Sequence, residues 1–244
     1  MEDRRARLAA AQRLVAPLMV QSERARHALG CAPIDTCLQG GLIRGAMHEV
    51  AAADHAATPA AMGFLLALAA IAAGSRPLVW VLPRHGDFGQ PYGPGMKAFG
   101  LDPGAFVFLR CASTQEQLWA LEEVLRAGAV GAVIGTRPAG MDLTASRRLH
   151  LAAETGSTPL FLLRAHQDHE VSAAVTRWRI QPQRAATDSL GFLGAPRFAV
   201  ALERVRAGKP GTWVVEWDHA ALCLRLPAGL QHRVPAQDPT LSAA

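Results

Sequence analysis

At 244 residues, half of them hydrophobic and 18% charged, the chain holds enough apolar material for a sizeable core, which excludes global disorder. Its formal charge of +5 permits contact with nucleic acid or an acidic partner and demands neither. The four cysteines, at 31, 37, 111 and 223, form no CxxC pair, so a zinc ribbon is excluded and buried free thiols in a reducing compartment are expected.

The opening "MEDRRARLAAAQRLVAP" is charged and broken by Pro17, so it does not read as a secretory signal. Leu8, Ala11, Val15 and Leu18 recur at helical spacing, which predicts a helical arm over residues 3–28, kinked at Pro17. Arg4, Arg5, Arg7, Arg13, Arg24 and Arg26 outnumber Glu2, Asp3 and Glu23 there, a pattern that reads as a solvated face before it reads as a contact surface. Next comes "IDTCLQGGLIRGAMHEV", in which Gly40, Gly41 and Gly45 predict a turn into a strand at about 46–51. A helix fits 58–73, and "RPLVWVLP" predicts a buried strand at about 77–82. A short helix is expected over 90–100 and a strand over 105–110. "STQEQLWALEEVLRAG" predicts an amphipathic helix with a Ser113 cap, Glu116 at its third position and a Gly128 stop. "AVGAVIG" is a strand, 142–156 a helix, and "TPLFLLR" a strand.

Strand–helix alternation with continuously apolar strands predicts an α/β fold: a mainly parallel central sheet flanked by helices. From about residue 171 the pattern becomes alternating, as in "AVTRWRIQP" and "TWVVEW", which predicts antiparallel strands added at the C-terminal end of the sheet. The domain plan is thus an N-terminal helical arm (1–30), a core (31–226) and a flexible tail (227–244). The longest apolar run, Phe64 to Ala73, is about half of a membrane span, so a cytoplasmic protein is expected.

The stretch "HEVAAADHAATPAAMGFLLALA" has the layout of a nucleotide-binding opening: short apolar strand, small-residue loop, apolar helix. Together with "IDTCLQGGLIRGAMHEV" and "YGPGMKAFGLDPGAFVFLRCASTQEQLWALEEVLRAGAVGAVIG", it resembles the ATPase core of RecA recombinases over about residues 30–165. Within that superfamily the length, the basic N-terminus and these motifs resemble the ImuA family, SulA-like accessory proteins of the damage-inducible mutagenesis cassette.

The departures from the ATPase pattern carry the functional reading. A phosphate loop needs glycines whose N–H groups close around phosphate, a lysine for the β/γ-phosphates and a hydroxyl for magnesium. Laid on the family pattern, Ala52 and Ala57 stand where glycines belong, Thr58 where the lysine belongs and Pro59 where the magnesium hydroxyl belongs. Proline is sound at a helix's first turn, so the helix survives without the cation site. Arg84 stands where the family places a water-activating glutamate, Thr136 and Arg137 where it places a magnesium-orienting aspartate, and Arg164-Ala165 where it places a polar sensor pair. The resemblance therefore implies a RecA-like, degenerate ATPase core with no catalytic residue, no cofactor and no metal.

Other motifs each have a plainer reading beside the functional one. "HQDHE" offers His166, Asp168, His169 and Glu170 beyond a strand end, but no second ligand cluster accompanies it, so a solvated loop is expected rather than a metal site. "QLWAL" (117–121) resembles the peptide by which repair proteins dock on the sliding clamp, yet it falls inside an amphipathic helix and reads as helix core. "RWRIQP" places Arg177 and Arg179 on one strand face with Trp178 and Ile180 on the other. Such a pattern serves single-stranded nucleic acid by charge and stacking, but reads first as a half-buried strand. Trp119, Trp213 and Trp217 read as core or partner-facing. Glu49, at a strand end, has no nucleophile, second acid or metal set placed beside it by the sequence.

What the resemblance implies is a non-catalytic adaptor of SOS-induced mutagenesis and translesion synthesis, contacting ImuB, RecA and, through ImuB, an error-prone DNA polymerase. Two alternatives stay open: a SulA-like cell-division inhibitor, and an ATP-binding protein with an unconventional site.

Overall fold

A computed structural model describes residues 25–84, 92–186 and 194–227. After the two-residue strand β1 (Arg26–His27) come helix α1 (Ala32–Cys37), β2 (Leu42–Ile43) and β3 (Met47–Ala52). Helix α2 (Thr58–Ala73), β4 (Leu78–Pro83), α3 (Gly93–Lys97) and β5 (Phe106–Cys111) follow. Then come α4 (Thr114–Ala127), β6 (Ala132–Thr136), α5 (Leu143–Thr155) and β7 (Leu160–Arg164). Four further strands close the described chain: β8 (Thr176–Gln183), β9 (Arg197–Val205), β10 (Gly211–Asp218) and β11 (Cys223–Arg225).

Nine strands form one sheet in the order β11-β10-β9-β8-β3-β7-β6-β4-β5. The six from β8 to β5 are mutually parallel, and β9 to β11 are antiparallel to their neighbours. The cause lies in the composition. Strands β3, β6 and β7 are buried along their whole length, because helices cover both faces. Strand β8 alternates, with Thr176, Trp178 and Ile180 buried and Arg177 and Arg179 half-exposed on the opposite face.

Helix α2 is the centre of the larger core. Phe64, Leu65, Leu66, Ala67 and Leu68 are buried in succession, which requires cover on every side. Side chains of the sheet, out to β9, β10 and β11, and Met96, Phe99 and Leu101 beside it share this core with the helix. Phe64 packs against Trp178 at 5.5 Å and Phe198 at 5.8 Å between ring centroids. Gly63 permits the close approach of Phe99: a Cβ there would lie 2.9 Å from its Cζ. Helices α4 and α5 pack on the opposite face over a second core of Met47, Val81, Val133, Leu160 and Leu162.

The helix ends follow from their caps. Ser113 Oγ accepts from the Glu116 N–H at 3.1 Å, and Gly128 closes α4 in the left-handed region at φ +63°. The Glu116 carboxylate reaches back to the Ala112 N–H at 2.6 Å rather than to the cap residue itself. Asp142 caps α5 through the Ala145 N–H at 2.7 Å.

Two expectations are corrected. Residues 25–28 are not helical: β1 pairs antiparallel with β2, and the Arg26 guanidinium donates to the carbonyls of Leu38 (2.8 Å) and Gly41 (3.3 Å). This close ribbon needs Gly41, whose φ is +124° and whose added Cβ would lie 2.2 Å from the His27 carbonyl oxygen. Ahead of it, residues 32–37 form helix α1, with Pro33 in the first turn and Asp35 accepting from the N–H groups of Leu29 and Gly30. The second correction falls on β8: expected among the antiparallel strands, it runs parallel to β3, because residues 165–175 return the chain before it starts, and it is antiparallel only to β9. The arm before residue 25 and the tail from 228 lie outside the described residues. Among the described residues no helix is long and apolar enough to cross a membrane.

The two ends of the sheet differ. Strand β5 is an outer edge six residues long, with Val107 51% and Phe108 37% exposed. Strand β11, at the other end, has three residues and is flanked by the Arg225–Glu216 and Arg225–Asp218 pairs.

Candidate functional site

The carboxyl ends of parallel strands are where open α/β sheets hold ligands. Here β3 runs into the segment 53–57 and then α2. That segment is closed by its own bonds. The Ala53 N–H donates to the Ile180 carbonyl at 2.8 Å, the Ala57 N–H to Asp54 Oδ1 at 2.8 Å, and Thr58 Oγ1 to the His55 carbonyl at 2.8 Å. Ala52 and Ala57, both nearly fully buried, pack into the larger core. Two of the N–H groups that a phosphate would need are thus spent, one on a carbonyl of β8 and one on the loop's own Asp54 carboxylate. Pro59 supplies none in the first turn of α2.

Beside this loop the structure assembles a cluster that sequence reasoning missed. Glu49 and Arg164 are both fully buried. Glu49 Oε2 accepts from Arg164 Nη1 at 2.6 Å, Ser172 Oγ at 2.8 Å and Arg177 Nε at 3.3 Å. Arg137 Nε lies 3.9 Å from Glu49 Oε1, an ion pair without a hydrogen bond. Asp168 joins the group from the "HQDHE" segment, with Oδ1 accepting from Arg164 Nη2 at 2.7 Å and Oδ2 from Arg137 Nη1 at 2.8 Å. Arg164 Nη2 also donates to the carbonyls of Asp168 and Glu170, and Arg137 Nη2 to that of Met141. Three guanidinium groups thus face two carboxylates. Burial, and then the neighbouring Arg164 charge, hold Arg177 below the usual guanidinium range. This is a locked structural network: it fixes the strand ends to the loop that follows β7. The Glu49 side chain has no solvent access.

The register explains the assembly. Ala51 pairs with Arg164 across β3 and β7, and Glu49 with Arg177 across β3 and β8. Glu49 and Arg177 therefore stand level on one face, and Arg164 lies two residues further along on that face, within reach of the Glu49 carboxylate. The one local signal was a carboxylate inside an otherwise apolar strand, because a buried charge requires partners.

The remaining predicted positions separate. Arg84, where a water-activating glutamate was expected, is exposed. Thr136 is buried, and its carbonyl and Oγ1 accept from Gln117 Nε2 at 2.8 and 3.2 Å. The "HQDHE" expectation of a solvated loop is corrected at Asp168, which bridges two arginines; His169 and Glu170 are exposed as expected. His166 stands edge-on to His55 at 6.1 Å between centroids, and no cluster of metal-binding side chains occurs among the described residues. "QLWAL" lies within α4 as expected, with Gln117 and Leu121 buried and Trp119 64% exposed. Trp178 is fully buried, so it is no stacking platform for a base; Trp217 is buried too. All four cysteines are free, two buried and two half-buried, and burial pushes the Cys31, Cys111 and Cys223 thiols up, away from the reactive thiolate.

Behind the loop, His48 carries a pH dependence. Its Nε2–H donates to the Ile43 carbonyl at 3.1 Å, and its Nδ1 accepts from Thr176 Oγ1 at 2.8 Å, which in turn accepts from Trp178 Nε1 at 3.0 Å. Full burial lowers its pKa to about 4, from 6.5 in an unfolded chain. The unfolded state therefore binds more protons between these values, so stability is fully present above 6.5 and is lost as pH falls towards 4. Urea unfolding of the parent and of His48→Gln across this window checks it. The parent curve should be the steeper; equal slopes would remove His48 as the cause.

No family model matches the chain. Two curated relatives, both named Protein ImuA, come from Caulobacter vibrioides strains NA1000 / CB15N and ATCC 19089 / CIP 103742 / CB 15. Each is 34% identical over 204 residues, covering 77% of this chain and 81% of the relative. By the extent and identity of this match, the chain belongs to the ImuA family.

Proposed function

We propose that the chain is a non-catalytic adaptor of damage-induced mutagenesis, built on a RecA-like scaffold and acting in the cytoplasm. It works by docking to ImuB and RecA, and through ImuB it reaches an error-prone polymerase. One observation carries the reading: the strand, loop and helix of a nucleotide site are retained while the loop is filled. Ala52 and Ala57 are packed into the core, Pro59 opens the helix, and the basic side chains nearby are committed to Glu49 and Asp168. Among the described residues, the N–H groups of Ala53 and Ala57 are already bonded, and Arg137 and Arg164 are bonded to carboxylates, so none of these is free to hold a triphosphate. Membership of the ImuA family supports the mutagenesis setting.

Purified chain titrated with ImuB and with RecA is expected to bind each saturably. A fluorescent ATP analogue with magnesium is expected to show no saturable binding. Failure to bind either protein would overturn the adaptor. Micromolar, magnesium-dependent ATP affinity, lost on substituting Thr58 or Arg84, would restore a working nucleotide site.

A further inference from the structure

The second core leaves one flank of α5 open. Leu143, Arg147, His150, Leu151 and Glu154 form a single stripe along that helix. They face residues 171–173, Arg204 at the end of β9, and Arg206 across a cleft of about 610 Å³. The volume is that of a ligand cleft rather than a packing defect. It lies where the sheet passes from helix-covered strands to the uncovered face of β8 and β9.

The chemistry of the walls is uneven. Three arginines stand against one glutamate. Arg204 Nη1 donates to the Ser172 carbonyl at 2.8 Å and Arg206 Nη2 to that of Ala173 at 3.5 Å, so backbone contacts hold both guanidinium groups in place. Arg147 is exposed at the mouth. Two aliphatic side chains flank the cations without being covered themselves: Leu151 is 58% and Val171 61% exposed. Ser172 forms the floor, and its hydroxyl is bonded to Glu49, so the cleft is anchored to the rigid network at the strand ends.

We infer that this cleft binds an extended acidic segment of a partner protein, with a carboxylate on Arg147, Arg204 and Arg206 and an adjoining aliphatic side chain against Leu151 and Val171. Charge complementarity selects an anion, and guanidinium forks suit carboxylates. The two uncovered aliphatic side chains select a peptide over a nucleic-acid backbone, which has no apolar group to set against them. This inference rests on the adaptor reading for its biological setting: it assigns a face to one of the partners.

The test is fluorescence anisotropy on the full chain with three labelled ligands: a peptide of alternating aspartate and leucine, its counterpart with leucine replaced by serine, and oligothymidylate. The aspartate–leucine peptide should bind tightest. Arg147→Glu and Leu151→Asp, both on exposed positions, should each weaken it by about tenfold or more while leaving the unfolding midpoint where it was. Three results would each overturn the cleft: no binding by the parent, equal binding by both variants, or tighter binding of oligothymidylate lost in Arg147→Glu. Titrating the same variants with the two partner proteins separates the two claims. Partner binding intact in both variants retains the adaptor and rejects the cleft. Peptide binding by a parent that binds neither partner retains the cleft and rejects the adaptor.

Discussion

Replacing Glu49 with alanine is expected to lower stability by about 3–5 kcal/mol, because it leaves the buried Arg164 guanidinium without its counter-ion. The loss is larger than for a surface pair, since neither side chain of this pair has solvent access. Arg137 and Arg177 then face Arg164 with one fewer negative charge among them, and only Asp168 remains to offset three cations. For a domain of this size the melting midpoint should fall by on the order of 10 °C. The pair itself is a different matter. Apolar replacement of both partners, Glu49→Leu with Arg164→Met, removes the stranded charge and should recover much of the loss. A double-mutant cycle by urea unfolding reads this directly, with a coupling free energy of several kcal/mol expected. If Glu49→Ala melts within about a degree of the parent, the network contributes nothing to the fold. The double variant has a second readout. Arg164 Nη2 holds the carbonyls of Asp168 and Glu170, so hydrogen exchange in 165–170 should quicken even where stability is restored.

Truncating Trp178 to alanine is expected to cost about 3–5 kcal/mol, the range for an aromatic removed from a packed interior. The indole sits between α2 and the sheet, tilted against Phe64, and its N–H donates to Thr176. Its loss opens a void where α2 cannot move in, because Phe198 and the sheet already hold the helix. The same substitution at Trp119, 64% exposed on α4, should change stability by less than about 0.5 kcal/mol. Denaturant midpoints of the two variants make the comparison. Equal, small effects would mean that Trp178 is not the internal wedge described above. A chain that stayed fully stable without Trp178 but lost affinity for single-stranded DNA would reinstate the stacking role its burial argues against.

Helix α2 and strands β3 to β7 were legible in the sequence because each carries its own local pattern: a ten-residue apolar run, or a strand bounded by Gly and Pro. The residues around β1 and α1 were not. Arg26 and His27 have the composition of the helical arm before them, and only the partner strand 42–43, brought back through glycines, makes them extended. That the segment after β3 carries no lysine was readable from residue types alone. The buried network beside that segment was not. Glu49, Arg137 and the pair Arg164 and Asp168 come from three parts of the chain, and their meeting depends on which strands are neighbours and in what register. The cleft beside α5 was invisible for the same reason: its stripe at 143–154 reads as an ordinary solvated helix face until β9 is placed across from it.

The unlike ends of the sheet bear on stoichiometry. A strand laid along β5 would find six unpaired residues and an apolar margin at Val107 and Phe108. The opposite end offers three residues between charged pairs, a poor template. Head-to-tail growth needs two complementary faces on every copy, whereas a single usable margin is satisfied by one guest. Among its described residues, the sheet therefore offers an added strand one long apolar margin and one short, charged one.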